Sequence, residues 1–262
     1  MRLRRSRRGL PDGVDWITGG SSGIGRALAL RMARAGRRVA ISAPDPGDLA
    51  AVEREASGLP GRVIPLPLDV TDRDACAAAV ARLEREQGPL AVAVLNAGIY
   101  RPDGPAGFDL ATFERTVEVN LLGVARTLAP ALAAMLQRGR GQVALTGSVI
   151  SYRGWPTAAA YGATKAALVN LAEGMATTLA ESGIKVQIIN PGFVQTPLLD
   201  RVHIRPPHVI SPEAAAEAIF RGLHGNRFEI AFPWPAIWQA RLMRRLPNRA
   251  ALSLIDWRVR RG

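Results

Sequence analysis

Val14-Asp15-Trp16-Ile17-Thr18-Gly19-Gly20-Ser21-Ser22-Gly23-Ile24-Gly25-Arg26-Ala27-Leu28-Ala29 is the stretch that decides the fold. An apolar run of strand length, Val14 to Ile17, stops at a glycine-rich turn that leads directly into a helix-forming run. Glycines let the backbone turn tightly there and let a pyrophosphate approach the N–H groups of the helix N-terminus, where the macrodipole favours negative charge. The glycines stand at Gly19, Gly23 and Gly25, a spacing that differs from G-x-G-x-x-G, so the general dinucleotide argument applies without that motif. A purely structural strand-to-helix turn also uses glycine, so the turn by itself does not establish a nucleotide site.

Outward from this turn the same alternation repeats. Val14–Ile17, Arg38–Ser42, Arg62–Leu66, Leu90–Leu95, Gly141–Thr146, Ile184–Ile189 and Phe228–Phe232 read as short apolar strands. Helix-period stretches lie between them, near 23–35, 46–57, 72–87, 112–137, 158–182 and 212–223. Strands that read as continuous apolar runs are covered on both faces, and strand–helix alternation predicts parallel pairing through right-handed crossovers. Ser211-Pro212-Glu213 is a helix start: a capping hydroxyl, a proline where no N–H is needed, and an acid facing the dipole. The expected fold is α/β, a doubly wound (Rossmann) parallel seven-stranded sheet with helices on both faces and a basic C-terminal extension. The expected division is a basic N-terminal tail over 1–11, a Rossmann catalytic domain over 12–232, and a basic, Trp-rich extension over 233–262.

The chain has 262 residues and a formal net charge of +12, with 48% hydrophobic residues, enough for a substantial core. The charge is located at the ends. Arg2, Arg4, Arg5, Arg7 and Arg8 lie in the first ten residues and seven arginines follow residue 240, which leaves the body nearly neutral. Nucleic-acid binding is therefore not expected, since only clustered charge makes a usable field. The stretch Leu121 to Leu136 is interrupted by Gly123, Arg126 and Pro130, and no run is expected to have the length to cross a bilayer. The basic N-terminus runs into Pro11-Asp12-Gly13 with no hydrophobic region behind it, unlike a secretory signal. Cys76 is the single cysteine and reads as a small buried residue. A cytoplasmic protein is expected. His203 and His208 have no ligand-type spacing to carboxylates or to cysteine, so no metal site is expected.

Tyr161 and Lys165 stand four apart in a helical stretch. That spacing puts both on one face, where the ammonium would favour the ionised phenol and make it an acid–base group for an alcohol near neutral pH. An exposed surface pair has the same spacing. Ser148 follows a predicted strand, at the end that faces the ligand crevice of an open parallel sheet.

Taken together these residues resemble the short-chain dehydrogenases/reductases. The resemblance rests on Thr18-Gly19-x-x-x-Gly23-x-Gly25, Asp69 in Leu68-Asp69-Val70, Asn96-Ala97-Gly98, Asn120 in Val119-Asn120-Leu121-Leu122-Gly123, Ser148, Tyr161-x-x-x-Lys165 and Pro191-Gly192-x-x-x-Thr196, in order over residues 12–232. It implies hydride transfer between NAD(P) and a carbonyl or secondary alcohol. Tyr161 would be the general acid/base, and Lys165 would hold the nicotinamide ribose and depress the phenol pKa. Ser148 would hold the substrate oxygen, and Asn120 would steady a water linked to the lysine. Thr18, Gly19, Ser21, Ser22, Gly23, Ile24, Gly25, Asp69, Val70, Asn96, Ala97, Gly98, Pro191, Gly192, Val194 and Thr196 would join Tyr161 and Lys165 in binding the cofactor.

Ser42-Ala43-Pro44 ends the second strand where an acid would select NAD, and Asp45 comes two positions past that place. NADP is therefore expected in preference to NAD, although no arginine stands at Pro44, and Arg37 and Arg38 lie at the far end of the strand. Relatives imply a homodimer or homotetramer through the 112–137 and 158–182 helices. Leu198 to His208 would cover a small-molecule substrate, with Trp155 at the mouth of the site. The extension carries Trp234, Trp238 and Trp257, three of five tryptophans, beside the arginines, a mixture that suits peripheral membrane contact. Packing on the domain or on a partner subunit would use the same residues. The alternative from another class is a catalytically silent nucleotide-sensing or scaffold protein on this fold.

Overall fold

Strands that carry apolar side chains on both faces have to be sandwiched, and the seven predicted runs are. The computed structural model describes residues 9–104, 107–201 and 206–259. The strands are β1 (Val14–Thr18), β2 (Arg38–Ser42), β3 (Arg62–Pro65), β4 (Leu90–Leu95), β5 (Gly141–Thr146), β6 (Ile184–Pro191) and β7 (Glu229–Phe232). They form one parallel sheet in the order β3-β2-β1-β4-β5-β6-β7. The order reverses between β1 and β4, so the carboxyl ends of these two strands open the crevice in which a doubly wound sheet binds its ligand.

Successive residues of β1 point to opposite faces and enter two separate cores. Ile17 joins Leu28, Met32, Ile41, Leu49, Ile219 and Leu223, the layer built by α1 (Gly23–Arg34), α2 (Pro46–Glu55) and α7 (Pro212–His224). Trp16 joins Leu83, Leu90, Leu95, Met135, Leu145 and Leu168, the layer of α3 (Arg73–Gln87), α5 (Gly123–Arg138) and α6 (Ala159–Glu181). Ser211 caps α7 as its sequence predicts, its hydroxyl accepting from Ala214 N at 3.1 Å. Arg37 donates to Asp15 at 2.6 and 2.7 Å and to the Pro11 carbonyl at 2.8 Å. It is thus committed at the amino end of β1, away from the crevice.

The stretch 112–137, expected as one helix, is divided. α4 (Leu110–Val117) passes through a π-helical turn, Glu118–Leu122, into α5. The additional residue in that turn aims Asn120 inward, where its amide accepts from Ile99 N at 2.8 Å and donates to Ile99 O at 2.9 Å. The expectation about bilayer-length runs is also amended. By length and composition Leu110–Arg138 is apolar enough to cross a membrane, because the interrupting residues are too few to lower its hydropathy. In the fold this run lies against the sheet with Val119, Val124, Leu128, Ala131 and Met135 buried.

Two helices follow β7: α8 (Trp234–Arg245) and α9 (Asn248–Val259). Ala236, Ile237, Ala251 and Ile255 are buried, whereas Trp234, Trp238, Leu242 and Trp257 remain exposed. His203 lies outside the described residues, and so do the arginines of residues 1–8.

Candidate active site

The glycine turn after β1 is shaped by contact. A Cβ on Gly25 would stand 2.1 Å from the Gly19 carbonyl oxygen, and one on Gly23 would stand 2.9 Å from Thr196 Cγ2, with Gly23 already at φ +51°. Only glycine leaves this concavity open to a phosphate group. Ser22 is the extended N-cap of α1, and its hydroxyl makes no capping bond, so the first-turn N–H groups are not taken by it. Ser21 lies beside it, half-buried, while Ile24 packs on the core.

The turn is fastened to β4 by side chains rather than by backbone pairing. Thr18 Oγ1 accepts from Asn96 N (3.0 Å) and Ala97 N (3.1 Å), and Asn96 Nδ2 donates to the Thr18 and Gly19 carbonyls, each at 3.2 Å. Thr18 and Asn96 therefore shape the crevice floor. Asp69 accepts from Thr71 N at 2.9 Å and Thr71 Oγ1 at 2.8 Å; the Thr71 backbone bond chiefly holds its carboxyl below the usual range. Val70 is buried against Gly123. Pro191 ends β6, Gly192 N donates to Phe232 O at 2.6 Å, and Val194 pairs with Ile210 across a single bridge. That bridge brings Thr196 back over the start of α1.

Asn120, Ser148, Tyr161 and Lys165 converge on the neighbouring part of the crevice. A Cβ on Gly98 would lie 3.3 Å from Asn120 Oδ1 and 3.4 Å from Lys165 Nζ, which places both groups at one backbone position after β4. Lys165 is buried, and its Nζ donates to the Thr146 carbonyl at 2.7 Å. Ser148 is the N-cap of a 3₁₀ turn, Val149–Tyr152, that follows β5; its hydroxyl accepts from Ile150 N at 3.3 Å and acts on the Tyr161 phenol, pulling its pKa down.

The electrostatics correct one expectation. Burial pushes the Tyr161 phenol up to about 12, outweighing the Ser148 hydrogen bond, which pulls the other way. Burial likewise pushes Lys165 down to about 8. The ammonium lies 5.6 Å from the Tyr161 ring centroid, and it does not acidify the phenol in the protein alone. Helical spacing brings the pair together as expected, but desolvation is the larger effect on both groups.

Several residues in and around the site carry no motif. Tyr100 meets Tyr161 edge to face, with ring centroids 5.5 Å apart, and its hydroxyl donates to the Thr157 carbonyl at 3.3 Å. Asp103 is buried and accepts from Ala159 N at 2.5 Å and Ala160 N at 3.4 Å, supplying the first turn of α6 with the cap that Ala158 lacks. Asn190 Oδ1 accepts from Ser148 N at 3.1 Å. The Asn-Pro-Gly run at 190–192 was readable as a strand end, but Tyr100 and Asp103 act across more than fifty residues and leave no local signal. Trp155 is half-buried in the loop before α6, and His208 lies 3.4 Å from Gln239 of α8.

The family model of short chain dehydrogenases matches residues 14–205. The chain belongs to the short-chain dehydrogenase family. This short-chain dehydrogenase is an NAD(P)-dependent oxidoreductase of the CH–OH/C=O class, and its cradle of glycines fits such a cofactor. It is 34% identical to an uncharacterized oxidoreductase of Myxococcus xanthus over 232 residues, covering 88% of this chain and 92% of that one. It is 36% identical to cis-4-hydroxycyclohexanecarboxylate dehydrogenase of Sinomonas cyclohexanicum over 211 residues, covering 79% and 82%. Among solved structures, a short-chain dehydrogenase from Sphingobium yanoikuyae in complex with NADPH superposes with a TM-score of 0.77 at 28% identity, covering 90% of this chain and 97% of that one.

Proposed function

We propose that this dehydrogenase interconverts a ketone and a secondary alcohol with Tyr161 as the proton carrier. The single observation that carries the reading is the convergence of Ser148, Tyr161, Lys165 and Asn120 beside the glycine cradle. Bound nicotinamide supplies or accepts the hydride. The N–H groups from Gly19 to Gly25 would hold the pyrophosphate, with Thr196 beside them at Gly23. Asn96, Ala97, Gly98, Asp69 and Val70 line the adenosine side. Ser148 orients the substrate oxygen so that the carbonyl carbon faces the hydride, which reduces the entropic part of the barrier. A phenol held near 12 is protonated at neutral pH, the state needed to give a proton to the developing alkoxide. Lys165 holds the ribose hydroxyls, and Asn120 keeps the lysine's surroundings polar.

NADP is proposed over NAD. Ala43 stands where an acid would take the ribose 2′-hydroxyl, and Asp45 is occupied in capping α2, accepting from Gly47 N at 2.7 Å and Asp48 N at 3.1 Å. Cyclic substrates that carry a carboxylate, as does the hydroxy acid for which the Sinomonas relative is named, suit the basic residues Arg201 and His208 of the covering segment. A homodimer or homotetramer through α5 and α6 and peripheral membrane contact through α8 complete the proposal.

The test is NADPH oxidation with a ketone panel that includes 4-oxocyclohexanecarboxylate and an acetoacetyl thioester, run beside Tyr161→Phe. Turnover by the native chain and its loss in the variant, with NADPH binding retained, is the expected result. Binding without turnover in both would return the scaffold reading.

A further inference from the structure

We infer that the C-terminal extension is a positioning element for Ser148, an inference that rests on the proposed role of Ser148 in holding the substrate oxygen. Arg241 of α8 donates to Glu229 Oε2 at 2.5 Å, and Asn190 Nδ2 donates to Glu229 Oε1 at 2.7 Å. The other end of the same amide, Asn190 Oδ1, accepts from Ser148 N at 3.1 Å. Three bonds thus run from an extension helix, through an edge strand and β6, to the backbone of the serine.

The segment Ser148–Arg153 is tied to the extension a second time. Tyr152 donates its phenolic proton to Glu229 Oε1, while Arg153 donates to the Leu246 carbonyl at 3.2 Å and to Asn248 Oδ1 at 3.0 Å. Leu246 and Asn248 flank the junction between α8 and α9. The Arg153 end of the 3₁₀ turn is therefore held directly by the extension, and its Ser148 end is reached from Arg241 through Glu229 and Asn190.

The physical argument concerns the Asn190 amide, whose two ends are nearly alike in shape. Its carbonyl faces the Ser148 N–H, and the Glu229 carboxylate on the opposite side reinforces that choice by accepting from the amide nitrogen. Burial works to raise the Glu229 carboxyl, but donors from Tyr152, Asn190 and Arg241 together hold it below its ordinary value. It is therefore ionised at neutral pH and accepts from all three. Without Arg241, an anion facing partly inward loses a cationic partner and the chain of orientation loosens at its outer end. Arg241 and Glu229 lie outside the residues assigned to the cofactor, and the bonds from them lead to Ser148 through the Asn190 side chain.

The experiment uses the full chain with Arg241→Ala, a surface side chain whose removal leaves the core intact, together with Arg241→Lys and Glu229→Gln. Amide exchange in Arg241→Ala is expected to accelerate about tenfold across residues 147–153 and to stay unchanged across residues 18–25. Arg241→Lys should restore most of the protection. For the ketone the native chain reduces fastest in the panel, kcat should fall about tenfold with the Kd for NADPH unchanged, and Arg241→Ala should add nothing in a Ser148→Ala background. Unaltered exchange at 147–153 overturns the inference, as does a loss that persists undiminished without the Ser148 hydroxyl. Should Tyr161→Phe retain full turnover, the proposed function fails instead, and the exchange result still decides the positioning claim.

Discussion

Lys165 stands one helical turn beyond Tyr161 with its Nζ 5.6 Å from the ring centroid, while it donates a hydrogen bond to the Thr146 carbonyl 2.7 Å away. The two groups are thus held apart in energy as well as in space: burial leaves the phenol protonated up to about 12 and the amine charged only up to about 8. A site in this state is set for reduction, because its proton donor is loaded at neutral pH. The pH dependence of kcat/KM reports ionisations of the free enzyme, so for ketone reduction it should be flat near neutrality and fall above about pH 8, as Lys165 loses its charge. A decline that begins only near pH 12 would assign control to Tyr161 alone.

Replacing Tyr161 by phenylalanine removes the proton donor and leaves the ring packed against Tyr100. Turnover should fall by about a thousandfold, within the usual range for a general acid, with the Kd for NADPH changed less than about threefold. Stopped or steady-state assays of NADPH consumption, together with a binding titration, check both halves.

Burying Lys165 has a consequence for stability whose sign follows from proton counting. Its folded pKa of about 8 is below the ordinary 10.5, so between these values the unfolded chain binds more protons and stability rises with pH. Below about pH 8 the full penalty is present. Lys165→Met removes that penalty, offset by the loss of the bond to Thr146, and should stabilise the cofactor-free protein at pH 7 by on the order of 1 to 2 kcal/mol. Urea midpoints measured from pH 7 to 10 should show the advantage of the variant shrinking as the pH rises. A variant less stable than the native chain at pH 7 would contradict this.

The seven strands were legible because each is a short apolar run, buried on both faces except in the edge strands β3 and β7, and the motif residues were legible because turn chemistry and helical spacing are local. Two kinds of feature were not. The π-helical turn at Asn120 inserts a residue without any break in the apolar pattern, so 112–137 read as one helix. Asp103 caps α6 from a loop more than fifty residues away, and Glu229 reads as an ordinary strand-end acid until Arg241, Asn190 and Tyr152 are seen around it. The sign of the Tyr161 shift was missed for a related reason. Spacing shows which charge is near a group, but it does not show how much water has been removed from both.

Asp103→Ala should lower stability by about 1 to 2 kcal/mol, the usual loss for a helix cap, because Ala159 N and Ala160 N lose their acceptor at the buried start of α6. Tyr161 sits in that same first turn, so kcat should fall as well. Asp103→Asn keeps an acceptor oxygen and should recover part of both losses. Thermal unfolding and turnover measured on the same preparations test the two effects together.

Pro44 is exposed at the crevice end of β2, and the neighbouring Asp45 carboxylate is already engaged with the backbone of α2. An arginine introduced at Pro44 therefore adds a partner for a 2′-phosphate without displacing a bond. Pro44→Arg should raise the NADPH-to-NADH ratio of kcat/KM by about tenfold, the value of one charge-assisted contact. If the native chain itself favours NADH, the proposed cofactor preference is reversed, whatever the variant does.

The outer face of α8 carries Trp234, Trp238 and Leu242 at successive four-residue steps, 67%, 52% and 47% exposed, with Arg245 among them and Arg241 and Arg244 at the flanks. The opposite face, through Ala236 and Ile237, already anchors the helix to the fold, so the tryptophans are not needed for packing. Indole rings favour the headgroup region, and each arginine near an anionic leaflet contributes about 1 kcal/mol that salt screens. The protein should therefore co-sediment with phosphatidylserine-containing vesicles at low salt, bind them much more weakly at high salt, and bind neutral phosphatidylcholine vesicles poorly. A Trp234→Ala, Trp238→Ala double variant should lose most of the binding that survives high salt, because the indoles supply the apolar part and the arginines the screened part. Absence of vesicle binding at both salt concentrations would leave the aromatic face to a partner subunit, and the concentration dependence of the oligomeric state of the same variant would then show the change.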